Sequence, residues 1–126
     1  MNTFSPALLE FISERRLATL VTQRADGSPH AVPVGFMMHQ GNVWVITSAA
    51  SVKAKNAARG GRASVTQIDG PRWVTLEGSV RVLADETSVS AAVDAYARRY
   101  RPPKVREDRV VIEIEVDRVM CNGGLK

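Results

Sequence analysis

The period with which apolar positions recur changes along the chain, and each change marks an element boundary. From Ser5 to Arg16, Leu8, Leu9, Phe11 and Ile12 fall at helical spacing, with Ser5 suited to cap the helix and Pro6 to open it. Leu17 to Gln23 is a Leu/Thr/Val run ending in Arg24-Ala25-Asp26-Gly27-Ser28, whose Asp-Gly pair predicts a hairpin. The returning strand covers about Pro29 to Met38. Gln40-Gly41-Asn42 separates it from a third, Val43 to Thr47, and the three predict a meander.

Ala49 to Arg59 contains no Gly or Pro and predicts a helix closed by Gly60-Gly61. Two further strands, Arg62 to Ile68 and Arg72 to Leu83, flank the turn Asp69-Gly70-Pro71, and Gly78 interrupts the second where a bulge would sit. Asp85 to Tyr100 presents Val89, Ala92, Val93 and Tyr96 on one helical face and stops at Pro102-Pro103; Arg109 to Val119 is a last strand. Short turns, no repeat and no low-complexity linker make residues 1–126 a single domain. The predicted class is α+β, about six mainly antiparallel strands with short helices, built on a barrel.

Composition narrows what such a domain does. Hydrophobic residues at 44% and charged residues at 24% are those of a globular chain. No apolar run approaches the roughly 20 residues that cross a bilayer. The start, Met1 to Pro6, lacks the basic and apolar regions of a leader, so a cytoplasmic location without membrane attachment is expected. Cys121 is the only cysteine, which excludes an intrachain disulfide and a multi-cysteine metal centre. Seventeen basic against thirteen acidic residues give a formal +4 and favour an anionic partner. Aromatics at 6%, with no basic stripe interleaved, argue against nucleic acid.

Covalent chemistry by side chains finds little support. His30 and His39 are the only imidazoles, no Gly-x-Ser-x-Gly elbow occurs, and no catalytic residue is assigned. Glu113, Glu115 and Asp117 alternate along the last strand as a solvated or interface-facing stripe would, and no metal site is assigned.

The stretch from Ser51 to Arg62 differs. It follows the hydroxyls of Thr47 and Ser48, opens with that of Ser51, and brings Lys53, Asn56 and Arg59 within the next two turns. Hydroxyls and unpaired N–H groups at a helix start, with cations just behind, form a phosphate grip. A solvated helix face has the same spacing, and spacing alone leaves both open.

Several stretches together resemble the split-barrel oxidoreductases related to pyridoxamine 5′-phosphate oxidase, which bind FMN or the deazaflavin coenzyme F420. They are Leu17 to Thr22, Asp26 to Val34, Val45-Ile46-Thr47-Ser48, the spaced Lys53, Asn56 and Arg59, and Leu76-Glu77-Gly78. Gln67 to Trp73, Arg99 to Pro103 and Arg109 to Glu113 are most similar to the small actinobacterial F420-dependent group that includes F420-dependent biliverdin reductase. The resemblance implies an FMN-binding split-barrel fold and a homodimer with the cofactor in the groove between subunits. It also implies an F420H₂-dependent reductase that passes a hydride to a conjugated, anionic small-molecule acceptor such as biliverdin. The alternatives are an FMN-dependent oxidase or reductase and a non-catalytic flavin or deazaflavin carrier.

Carried over position by position, His30, Ala31, Val32, Pro33 and Val34 would run along the ring system. Ile46, Thr47, Ser48, Ser51 and Lys53 would approach the ribityl phosphate, with Asn56 and Arg59 in support, and Arg72, Arg99 and Arg101 would meet an acidic acceptor. Where FMN oxidases carry a glutamine, this chain has Trp73. That removes an amide able to bond the isoalloxazine and favours the deazaflavin, though a strand tryptophan is equally suited to packing.

Overall fold

The computed structural model describes residues 4–126; Met1 to Thr3, part of the segment read for a leader, lie outside the described residues. Helix α1 (Pro6–Ser13) has Pro6 in its first turn, and the Ser5 hydroxyl accepts from Leu8 N at 3.0 Å. Seven strands follow with two more helices: β1 (Ala18–Gln23), β2 (Pro29–Val34), β3 (Met37–His39), β4 (Asn42–Ser48), α2 (Val52–Ala58), β5 (Arg62–Asp69), β6 (Arg72–Leu83), α3 (Glu86–Arg99) and β7 (Arg109–Cys121). A short 3₁₀ turn, Gly123–Leu125, ends the chain with Leu125 buried.

All seven strands join one sheet in the order β2-β1-β5-β6-β7-β4-β3, every pairing antiparallel. This order carries the barrel. Its two outermost strands, β2 and β3, are separated in sequence only by Gly35 and Phe36, so the sheet must curl until its ends meet at that seam. The run expected as one strand from Pro29 to Met38 is therefore two strands serving opposite sheet edges. The expected meander gives way with it: β2 pairs with β1, while β4 pairs with β3 and β7.

Close packing explains the break. A Cβ on Gly35 would lie 2.8 Å from the Tyr100 ring and 3.1 Å from that of Tyr96, so only glycine lets α3 approach the seam. The bulge expected at Gly78 is present as a register shift in the β6–β7 ladder. There a Cβ would stand 1.7 Å from the Glu115 carbonyl oxygen, and a side chain would push the strands apart.

Two apolar layers result. Leu20, Phe36, Val45, Val65, Leu76 and Ile112 fill the barrel, closed by Leu8, Phe11 and Ile12 of α1. Outside it, Ala92 of α3 packs on Met37, Trp44 and Val111. This outer layer corrects the solvated or interface-facing stripe expected on β7 at one of its three positions. Glu113 is only 4% exposed; it accepts from Trp44 Nε1 at 2.7 Å and from Arg81 Nε at 2.8 Å, while Glu115 and Asp117 face solvent. Alternation along β7 gave its side of the sheet correctly but not the cover that Trp44 and α3 supply.

Candidate cofactor cleft

The end of β4 and the start of β7 are paired, with Ser48 opposite Arg109 and Thr47 opposite Val110. Ser51 then caps α2, its hydroxyl accepting from Ala54 N at 3.1 Å. It also accepts from Thr47 Oγ1 at 3.0 Å. With both lone-pair directions taken, the Ser51 proton is left to donate outward to an acceptor. Lys53 follows two residues later in the first turn of α2, half-buried, and makes no hydrogen bond or ion pair among the described residues.

These residues line one bank of a cleft of about 390 Å³. Pro33, Val34, Gly35, Ile46, Tyr96, Pro103, Arg106 and Arg109 complete its lining. No acidic residue lines it. The Ser48 and Ser51 hydroxyls, an ammonium and two guanidiniums with apolar backing form a donor set for an anionic group attached to a flat apolar one. A ribityl phosphate on a flavin-like ring has that chemistry.

Of the residues expected at the cofactor, Pro33, Val34, Ile46, Thr47, Ser48, Ser51 and Lys53 come together here. His30, Ala31 and Val32 lie further along β2. Because β2 pairs only with β1, its other edge leaves alternate backbone groups open, as contact through the backbone requires. His30 Nδ1 is buried and makes no hydrogen bond among the described residues.

Asn56 and Arg59 serve α2 itself. Asn56, 5% exposed, donates to Thr22 Oγ1 at 3.1 Å, and Arg59 donates to Asn56 Oδ1 at 2.6 Å and to the Gln23 carbonyl at 2.9 Å. They tie α2 to β1. The helix begins at Val52, three residues later than expected, so the grip rests on side chains more than on a helix terminus.

The three arginines expected at the acceptor are scattered. Arg72 donates to Glu14 at 2.7 Å and 3.1 Å and pairs with Asp69. Hydrogen bonds from Arg72 and then Arg16 lower the Glu14 pKa to about 2. Arg99 donates to the Glu14 carbonyl at 2.8 Å, to Gln67 Oε1 at 2.6 Å and to the Phe36 carbonyl; burial pushes its pKa down. Beside it Tyr100 donates to the Arg16 carbonyl at 2.8 Å and accepts from Phe36 N at 3.2 Å. Arg99 and Tyr100 thus clasp the seam. Arg101 is exposed and makes no hydrogen bond or ion pair among the described residues.

Trp73, 37% exposed, opens β6 and lines a separate hollow with Val119, Met120 and Cys121. Its strand meets β7 at Cys121, whereas the cleft meets β7 at Arg109, so the two lie at opposite ends of a 13-residue strand. That separation is on the order of 40 Å along the strand.

Gly35, Tyr96, Pro103, Arg106 and Arg109 are the lining residues that sequence reasoning missed. The Pro-Pro stop followed by Lys104, Arg106 and Arg109 was a visible signal, but only the pairing of Ser48 with Arg109 makes it part of the site.

Known proteins resemble this chain in sequence and in fold. The family model described as pyridoxamine 5′-phosphate oxidase matches residues 4–121. An F420H(2)-dependent biliverdin reductase of Mycobacterium tuberculosis is 47% identical over 119 residues, covering 93% of this chain and 87% of its own. Among solved structures, the conserved hypothetical protein Rv2991 of M. tuberculosis superposes with a TM-score of 0.81 at 26% identity, over 94% of this chain and 84% of that one. An F420 reductase superposes with a TM-score of 0.73 over 88% of this chain and 94% of that one; at 18% identity its likeness is one of fold.

Proposed function

The chain belongs to the pyridoxamine 5′-phosphate oxidase family, and from that premise we propose that it is an F420H₂-dependent reductase of a conjugated, anionic acceptor such as biliverdin. The observation that carries the reading is the cleft itself: an acid-free pocket whose hydroxyls and cations suit a phosphate and whose Pro33–Gly35 wall suits a flat ring. The 47% identity to an F420H(2)-dependent biliverdin reductase supports the choice of deazaflavin and acceptor.

When bound, reduced F420 supplies the hydride. The chain's own residues have the remaining tasks. Lys53 neutralises the phosphate, Ser48 and Ser51 donate to it, and Thr47 fixes the Ser51 hydroxyl so that its proton points outward. His30, Ala31, Val32, Pro33 and Val34 hold the ring along the open edge of β2, while Asn56 and Arg59 hold α2 in place. Arg101, without a partner among the described residues, meets an acceptor carboxylate. Arg72 and Arg99 contribute by fixing the seam and the neighbouring turn.

We take the working unit to be a homodimer: Trp73 lies at the far end of β7 from its own chain's cleft, and a second copy that brought it beside the ring would reconcile that distance with the expected contact.

Titration of the purified protein with F420 and with FMN tests the cofactor, and F420H₂ consumption on adding biliverdin tests the reaction. Tight F420 binding and biliverdin-dependent oxidation are expected. Preference for FMN would install the oxidase reading, and F420 binding without turnover on any tetrapyrrole would make the protein a carrier.

A further inference from the structure

Helix α1 presses Leu8, Phe11 and Ile12 onto the barrel but leaves Leu9 49% exposed, an apolar side chain that the core does not take up. Leu9 instead lines a second hollow, of about 420 Å³, with Ile12, Met37, Met38, Ala95 and Arg98. This hollow lies across the Gly35–Phe36 seam from the cofactor cleft: β3 contributes to it where β2 contributes to the cleft, and the two share no lining residue.

Two guanidiniums reach the hollow, and one is free to bind. Arg99 spends its donors on the Glu14 and Phe36 carbonyls and on Gln67 Oε1. Arg98, exposed in the last turn of α3, makes no hydrogen bond or ion pair among the described residues, although Asp94 lies one turn before it. No acidic residue lines the hollow to oppose a negative charge. Ser13, also on the lining, donates its hydroxyl proton to the Glu10 carbonyl at 2.7 Å and has no second proton to give. What remains is an apolar enclosure with one uncommitted cation, and its two methionines adapt readily to the shape of an occupant.

We infer that this hollow is a second ligand site, one for a small apolar monocarboxylate. The hydrocarbon part lies against Leu9, Met38 and Ala95, and the carboxylate takes the fork of Arg98. One free cation matches one charge. The volume falls within the range of small-ligand sites, about 300–1,000 Å³, and burying hydrocarbon there covers the apolar surface that Leu9 leaves open.

The test is calorimetric titration of wild type, Arg98→Gln and Ala95→Phe with octanoate, decanoate and octanol, each below its micelle-forming or solubility limit. Wild type is expected to bind both carboxylates saturably at one site, decanoate more tightly by about fourfold for each further methylene buried. Octanol should bind more weakly than octanoate. Arg98→Gln should weaken octanoate about tenfold, as loss of one charge-assisted contact implies, and leave octanol as in wild type. Ala95→Phe, which fills the hollow, should abolish binding of all three. Melting curves show whether each variant is folded; if Ala95→Phe is not, Arg98→Gln decides alone. Absence of saturable carboxylate binding by wild type, octanol bound as tightly as octanoate, an equal loss of both in Arg98→Gln, or carboxylate affinity unchanged in either folded variant overturns the inference.

Discussion

Arg99 closes α3 and Arg106 lies seven residues further on, in the connection to β7, yet their surroundings have nothing in common. Arg99 donates to two backbone carbonyls and to Gln67, itself 1% exposed, and with Tyr100 holds together the seam where the curled sheet meets itself. Arg106 extends over the cleft with one loose, half-exposed partner. The same side chain is a structural tie where its donors end on the chain's own acceptors and a binding group where they do not. This criterion puts Arg59, Arg72 and Arg99 with the ties and leaves Lys53 and Arg101, which make no hydrogen bond or ion pair among the described residues, and the loosely paired Arg106 as candidates for binding.

The contrast can be broken by substitution. Arg99→Ala carries the largest expected effect, because it leaves the buried Gln67 oxygen and the Phe36 carbonyl without their donor. We expect a loss on the order of 3 kcal/mol in urea unfolding and a melting point lower by roughly 10 °C. A stable Arg99→Ala protein with impaired acceptor binding would move Arg99 into the other class.

Lys53→Ala should do the reverse, leaving unfolding unchanged and weakening F420 roughly tenfold to a hundredfold, as loss of a charge-assisted contact implies. Equal affinity by titration would show that the phosphate is held elsewhere.

Smaller, and confined to acid, is the effect of Glu14→Gln. Glu14 is held down to about 2 in the folded chain, chiefly by its hydrogen bonds to Arg72 and Arg16. A carboxylate with a depressed folded pKa stabilises the fold above its unfolded value, here the usual 4.5, and that contribution is lost as pH falls toward about 2. Melting curves should therefore separate wild type from Glu14→Gln at neutral pH and converge as pH drops through that window. Parallel curves would remove the ion-pair network from the list of ties.

Even where a second copy brings this hollow to its cleft, Cys121→Ser is expected to leave turnover intact, because the cofactor supplies the hydride and no step calls for a thiol. A large loss would demand a thiol role and a second site.

What the sequence made legible follows the same line between local and distant. Ser5, Pro6, the Asp-Gly turn and the Gly78 bulge announce themselves within a few residues, and all four appear where the pattern puts them. The parting of β2 from β3 was hidden because apolar residues continue across Gly35, and only the distant rings of Tyr96 and Tyr100 show why glycine is there. Burial of Glu113 depends likewise on Trp44 and Arg81, neither adjacent in sequence. In the site, the Thr47–Lys53 half was readable as a run, and the half from the connection before β7 was not. Ser48 and Arg109 become neighbours only through a pairing that no local pattern encodes.

The two tryptophans also make the molecule its own optical instrument. Trp44, stacked on His39 at 3.8 Å and sealed in the outer layer, should emit as a buried indole until the fold itself opens. Trp73, 37% exposed in the single chain at the far end of β7, should be the one whose access to a soluble quencher falls when a second copy or a bound ring covers that hollow. Quenching of the red-shifted component alone would then report events at that hollow while the blue-shifted component keeps watch over the barrel.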